Sequence, residues 1–112
     1  MASFVEYGDD GTTNGTSPVT IVGSPSSGVR RLIKNILVRN KDTAPATITL
    51  SYVDGANTRD IYQITLAIGD QAQFTEGDIM VLNATNKSVT LVLSAPVATN
   101  ELPWVVAYGD AT

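Results

Sequence analysis

The sequence predicts an all-β domain: an antiparallel β-sandwich of about eight strands, with jelly-roll or immunoglobulin-like connectivity. Three observations predict it. β-Branched residues fill 34 of 112 positions, as 12 Val, 8 Ile and 14 Thr, side chains that suit a pleated, half-buried surface. Apolar and polar residues alternate at period two in short runs bounded by Gly, Asp and Asn. No segment of ten residues carries a 3.6-residue apolar repeat, so helix is limited to a single turn.

Taken in order, Ser3 to Tyr7 is a short apolar strand, and Asp9 to Ser17, with two Gly and no periodicity, is a surface loop or arm. The chain therefore divides into an N-terminal strand and arm, residues 1–16, and a single sandwich domain, residues 17–112. Pro18 to Val22 is the next strand, and Gly23 to Gly28 the loop after it. Arg30 to Asn40 is the longest extended run, with Leu32, Ile36 and Val38 on one face. Lys34 shares their parity, so either its stem is buried near the end of the core or a bulge shifts the register.

Ala46 to Val53 alternates cleanly, with Ile48, Leu50 and Tyr52 inward, and stops at Asp54-Gly55. Residues Ala56 to Arg59 have the composition of a hairpin loop, and Asp60 to Ile68 is the returning strand, ended by Gly69-Asp70. Gln71 to Thr75 presents Ala72 and Phe74 inward before a Glu76-Gly77-Asp78 turn. Ile79 to Ala84 and Val89 to Ala95 read as a hairpin pair, the latter with Val89, Leu91 and Leu93 inward. Pro103 to Tyr108 is the terminal strand.

Composition excludes much chemistry. The chain has no Cys and no His, which removes thiolate zinc sites, redox dithiols, Cys nucleophiles and the usual general base near neutral pH. Carboxylates remain, but Asp9, Asp10, Asp54, Asp70, Glu76, Asp78 and Asp110 all lie at or within one residue of Gly, as turn residues do. Their spacing matches neither an EF-hand nor a calcium-binding β-roll, and no Gly-rich stretch has the strand, helix and Lys-Ser/Thr end of a phosphate cradle. No enzyme activity, cofactor or metal is expected. Nor is a membrane span, because no stretch approaches about 20 apolar residues. The N-terminus lacks the pattern of a signal peptide, so synthesis in a cytoplasm is the expectation.

The net charge of −4 hides an asymmetry. Arg30, Arg31, Lys34, Arg39 and Lys41 fall within twelve residues that contain no acid, whereas the other 100 residues hold 11 acids and two bases. Complementary fields of this kind suit contacts between like subunits or docking on a partner; the plainer reading is one solvated strand face. Nucleic-acid binding is not expected, since the chain is acidic and no aromatic interleaves the basic run. Phe4, Tyr7, Trp104 and Tyr108 instead lie in the two terminal strands, where they serve either as core or as contact residues. These four and the five basic residues are the candidate interface.

The order Pro-Val-Thr-Ile-Val (18–22), Arg-Arg-Leu-Ile-Lys-Asn-Ile-Leu-Val-Arg-Asn (30–40), Ala-Thr-Ile-Thr-Leu-Ser-Tyr-Val-Asp-Gly (46–55), Ile-Gly-Asp (68–70) and Gly-Asp-Ile-Met-Val-Leu-Asn-Ala (77–84) resembles that of small β-sandwich virion proteins of tailed bacteriophages, among them capsid decoration (cement) proteins. The resemblance runs over residues 17–95 and leaves 1–16 and the strand around Trp104 outside it. It implies a structural protein on the outer capsid surface that bridges major capsid protein subunits, associates with itself as a homotrimer and uses no cofactor. A neck, tail or baseplate component is an alternative within the same resemblance. A carbohydrate-binding module is a second alternative, for which Trp104 with Tyr108 would be the aromatic platform.

Overall fold

The computed structural model describes residues 4–75 and 81–112. Nine strands occur among them and no helix: β1 (Phe4–Thr12), β2 (Val19–Val22), β3 (Arg30–Arg39), β4 (Ala46–Asp54), β5 (Asn57–Leu66), β6 (Gln71–Thr75), β7 (Val81–Leu82), β8 (Lys87–Leu93) and β9 (Pro103–Ala111). One antiparallel sheet has the order β1-β9-β3-β6, with β7 also on β3; the other has the order β2-β8-β4-β5. The pairs β1 with β9, β2 with β8, β3 with β6 and β4 with β5 are nested. That nesting is a long folded ribbon wound into two sheets, the jelly roll, and it selects one of the two predicted connectivities.

Alternate residues of both sheets fill the space between them. Ile33, Ile36, Val38, Phe74, Trp104 and Val106 come from the first sheet, and Ile21, Ile48, Leu50, Val89, Leu91 and Leu93 from the second. The predicted inward sets of β4, β6 and β8 are thus realised. Val92, on the opposite side of β8, is half-buried beside the buried Thr49 of β4.

The bulge anticipated in the basic strand exists. Between β3 and β9 the register passes from Ile33↔Tyr108 to Asn35↔Ala107, so Lys34 is the extra residue. The inward set is therefore Ile33, Ile36 and Val38, and the half-buried Leu32 belongs to the outer side. A bulge costs local pairing but re-aims the neighbouring side chains.

Several predicted boundaries shift. The first strand does not end at Tyr7: β1 continues to Thr12, paired with β9 over its whole length, so Asp9 and Asp10 are strand residues. Asn57, Thr58 and Arg59 are also strand, because a two-residue turn closes between Asp54 and Asn57. Gly55 takes φ 62° there while Ala56 stays at negative φ, the type II′ pattern that matches strand twist. The predicted hairpin of 79–84 with 89–95 does not form. Val81 and Leu82 pair with β3, whereas β8 pairs with β2 and β4 in the other sheet; the segment between them is a crossover. Glu76, Gly77 and Asp78, read as a turn, and Ile79, read as a strand start, lie outside the described residues.

Buried polar side chains hold the corners. Asn40 donates from Nδ2 to the carbonyls of Ala44 and Leu66, each at 3.0 Å, and its Oδ1 accepts the Asp42 N–H at 2.9 Å. The Asp42 carboxylate accepts the N–H groups of Thr43, Ala98, Thr99 and Asn100 at 2.8–3.1 Å. Thr13 donates from its hydroxyl to Glu101 at 2.8 Å and accepts the Leu102 N–H at 2.9 Å. Loop backbone that two sheets leave unpaired is thereby satisfied.

Candidate assembly surfaces

The nine candidate interface residues do not form one patch. Trp104 is in the core, 5% exposed, because the first sheet turns its even-numbered β9 residues inward. Its neighbour on the same face, Tyr108, is half-buried between two partners. Tyr7 stacks on it from β1 at 5.6 Å, and the Arg31 guanidinium lies 4.5 Å above its ring. A platform made of Trp104 with Tyr108 is therefore closed, which removes the basis given above for a carbohydrate-binding module.

The basic strand divides in use. Arg31 makes a two-pronged contact with Asp110, Nε to Oδ1 at 2.8 Å and Nη2 to Oδ2 at 3.0 Å, and donates from Nη1 to the Gly23 carbonyl at 2.8 Å. The hydrogen bond to Asp110 is the largest influence holding its pKa above the ordinary value, against the opposing effect of burial. Arg31 is thus a clamp joining β3, β9 and the loop after β2. Asp110, read as a turn acid, is a strand residue that completes this clamp. Lys34, turned outward by the bulge, donates to Glu6 Oε1 at 2.8 Å and sits 5.0 Å from the centre of the Phe4 ring. Arg30, Arg39 and Lys41 are exposed and have no ion-pair partner among the described residues.

The outer face of the first sheet is a lattice of side chains. Register places Thr12, Pro103, Arg39 and Gln71 in one row, Asp10, Val105, Leu37 and Gln73 in the next, and Gly8, Ala107, Asn35 and Thr75 in a third. Read by columns, β1 contributes Glu6 and Asp10, β9 contributes Pro103, Val105 and Ala107, and β3 contributes Lys34 and Arg39. An acidic column and a basic column flank an apolar one. Val105 is 54% exposed at the centre of this face.

The second exposed feature is β1 itself. Among the described residues it pairs only with β9, and its far edge makes no ladder with any of them, the position of a sheet edge. Phe4 and Tyr7 are each 46% exposed and Val5 47%. Phe4 lies on the outer side, over Gly109, while Val5 and Tyr7 face the other way.

A cavity of about 300 Å³ opens at one end, lined by Thr12, Lys41, Asn100, Glu101 and Pro103. Its carboxylate, Glu101, is occupied by Thr13 and by the Gly15 N–H at 2.8 Å. A smaller one of about 200 Å³ is bordered by Asp42, whose oxygens are already committed to four backbone N–H groups. Among the described residues no group of three His, Cys, Asp or Glu could hold a metal ion.

Asn40, Asp42 and Thr13 were not singled out in the sequence. The spacing Asn40-x-Asp42 is the signal that could have found the first two, since both residue types favour side-chain to backbone turns.

No protein-family model matches the chain, and no curated protein matches it. Solved structures match it in fold. A chain from Bacillus endospore appendages, described as forming a family of disulfide-linked pili, aligns with TM-score 0.57 and 17% identity over 99% of this chain and 88% of its own length. A chain of the T13 IBDV viral particle aligns with TM-score 0.51 and 12% identity over 98% of this chain, which spans only 31% of that longer one. A chain of the cyanophage Pam1 capsid asymmetric unit aligns with TM-score 0.48 and 17% identity over 99% of this chain and 83% of its own. At these identities the likeness is one of fold: a β-sandwich of the kind found in viral capsid and pilus proteins.

Proposed function

We propose that this chain is a structural component of a virion, a capsid decoration protein that seats on the outer shell and bridges major capsid protein subunits. The observation that carries this reading is β1, a nine-residue strand whose far edge is unpaired among the described residues and which exposes Phe4, Val5 and Tyr7. Exposed apolar side chains beside an unpaired edge favour docking against another protein. The fold supports the virion setting: among solved structures that align above TM-score 0.5 are a pilus subunit and a chain of a viral particle. Disulfide-linked pili of the first kind are closed to a chain with no Cys. A decoration protein works by multivalency, each copy touching several coat subunits so that mass action favours the closed shell.

The test is cryo-electron microscopy of shells built from a major capsid protein of the same genome, with and without the chain added. Density for many copies on the outer surface, and a higher disruption temperature, are the expected results. Bare shells refute the reading, and rings of six or twelve copies at one vertex replace it with the neck or tail alternative. Replacing Phe4 and Tyr7 with Asp should abolish decoration, while the isolated chain, somewhat destabilised by loss of the Tyr7–Tyr108 stack, still unfolds in one cooperative transition.

A further inference from the structure

The outer face of the first sheet points to a second copy of this chain as its occupant. We infer that two copies pack face to face there, about a two-fold axis running along β9 through Val105. This deepens the reading of the chain as an assembling structural subunit and rests on it.

Two sheets facing one another about 10 Å apart, with strands nearly aligned, can be related by a two-fold axis along the strands or across them. An axis across the strands lays each column over itself, acid against acid and base against base. An axis along β9 lays the β1 column of one copy over the β3 column of the other. Asp10 then faces Leu37 and Arg39 of the second copy, Thr12 also meets Arg39, and Val105 meets its own counterpart on the axis. The charge order therefore selects one of two possible orientations.

The local residues fit this use. Val105 is the most exposed large apolar side chain within a strand of the chain's described part, and it lies on an interior strand, where solvent exposure has no folding benefit. Pro103 and Ala107 in its column are short, which permits close approach. Neither Asp10 nor Arg39 has an ion-pair partner among the described residues, so neither must surrender one. A face carrying both charges on opposite sides of an apolar line is complementary to itself and needs no second kind of surface. The contact is thus two-fold, in place of the threefold association that the resemblance implies.

The full chain alone, without coat protein, is the sample. Sedimentation velocity should show a concentration-dependent dimer. Asp10→Arg or Arg39→Asp should each weaken it roughly tenfold or more through like-charge contact, and the two reversals together should restore it. Because the chain lacks Cys, Val105→Cys places one thiol on the axis. A short bis-maleimide should link two such chains rapidly, whereas Ile68→Cys, equally accessible but off this face, should link slowly. A monomer at every concentration, failure of the double reversal to recover the dimer, or equal linking at both positions would overturn the inference. Shell decoration by a chain that stays monomeric would sink this surface alone, and a dimer that never binds shells would sink only the proposed function.

Discussion

The indole of Trp104 lies flat across Gly11, its partner in register on β1, so that a Cβ added to Gly11 would come within 2.7 Å of Cζ2. Because the ring is buried, it has no room to retreat. Gly11→Ala should therefore destabilise the fold by roughly 1–3 kcal/mol, as overpacking does, and lower the thermal midpoint by several degrees. Trp104→Phe removes the benzo atoms that make the clash, so the double variant should lose less than the sum of the two single ones. A double-mutant cycle from urea midpoints checks the coupling.

Gly109 offers the contrast. A Cβ there would also strike a ring, that of Phe4, but Phe4 is half exposed and free to swing into solvent. Gly109→Ala should cost under about 1 kcal/mol. Thermal unfolding of the two alanine variants, compared directly, separates a buried obstacle from a surface one.

Asp42 makes stability depend on acid. Backbone hydrogen bonds, first from Asn100 and then from Ala98, lower its pKa from 3.8 to about 2. Since the folded value lies below the unfolded one, the stabilisation is complete above about pH 4 and is lost as pH falls toward 2. Midpoints measured across that window should drop in the native protein. Asp42→Asn should start from a lower midpoint at neutral pH and lose less over the same interval.

Arg31 and Lys34 are both paired cations of one strand, yet they should differ in worth. Arg31→Ala strips two half-buried contacts to Asp110 and one to Gly23 and should cost roughly 1–3 kcal/mol. Arg31→Lys keeps the charge but not the planar fork, and should recover only part of that. Lys34→Ala, in an exposed pair, should cost less than about 1 kcal/mol. Chemical denaturation of the three variants ranks them.

Replacing Asn40 with Ala should cost roughly 2–3 kcal/mol, because the Ala44 and Leu66 carbonyls and the Asp42 N–H all lose a buried partner. Hydrogen exchange should then rise first at Asp42 and Thr43, the residues whose turn Asn40 closes.

Where apolar alternation was regular, the sequence was sufficient. Ile48 and Leu50, Ala72 and Phe74, and Val89, Leu91 and Leu93 face the core as their spacing requires, since a strand between two sheets has only one side to bury. The basic run left two registers open, and only the neighbour, β9, decided between them by pairing on both sides of Lys34. Alternation likewise cannot say which strand a strand will join. Val81 and Leu82 went to β3 and not to β8, because pairing is set by the course of the whole ribbon and not by distance along the chain. The same holds for charge: composition revealed five clustered bases, but the fold alone decided that Arg31 and Lys34 would meet acids 79 and 28 residues away, while Arg39 was left across an apolar column from Asp10. Local side-chain period is written residue by residue; the meeting of distant residues depends on every strand between them.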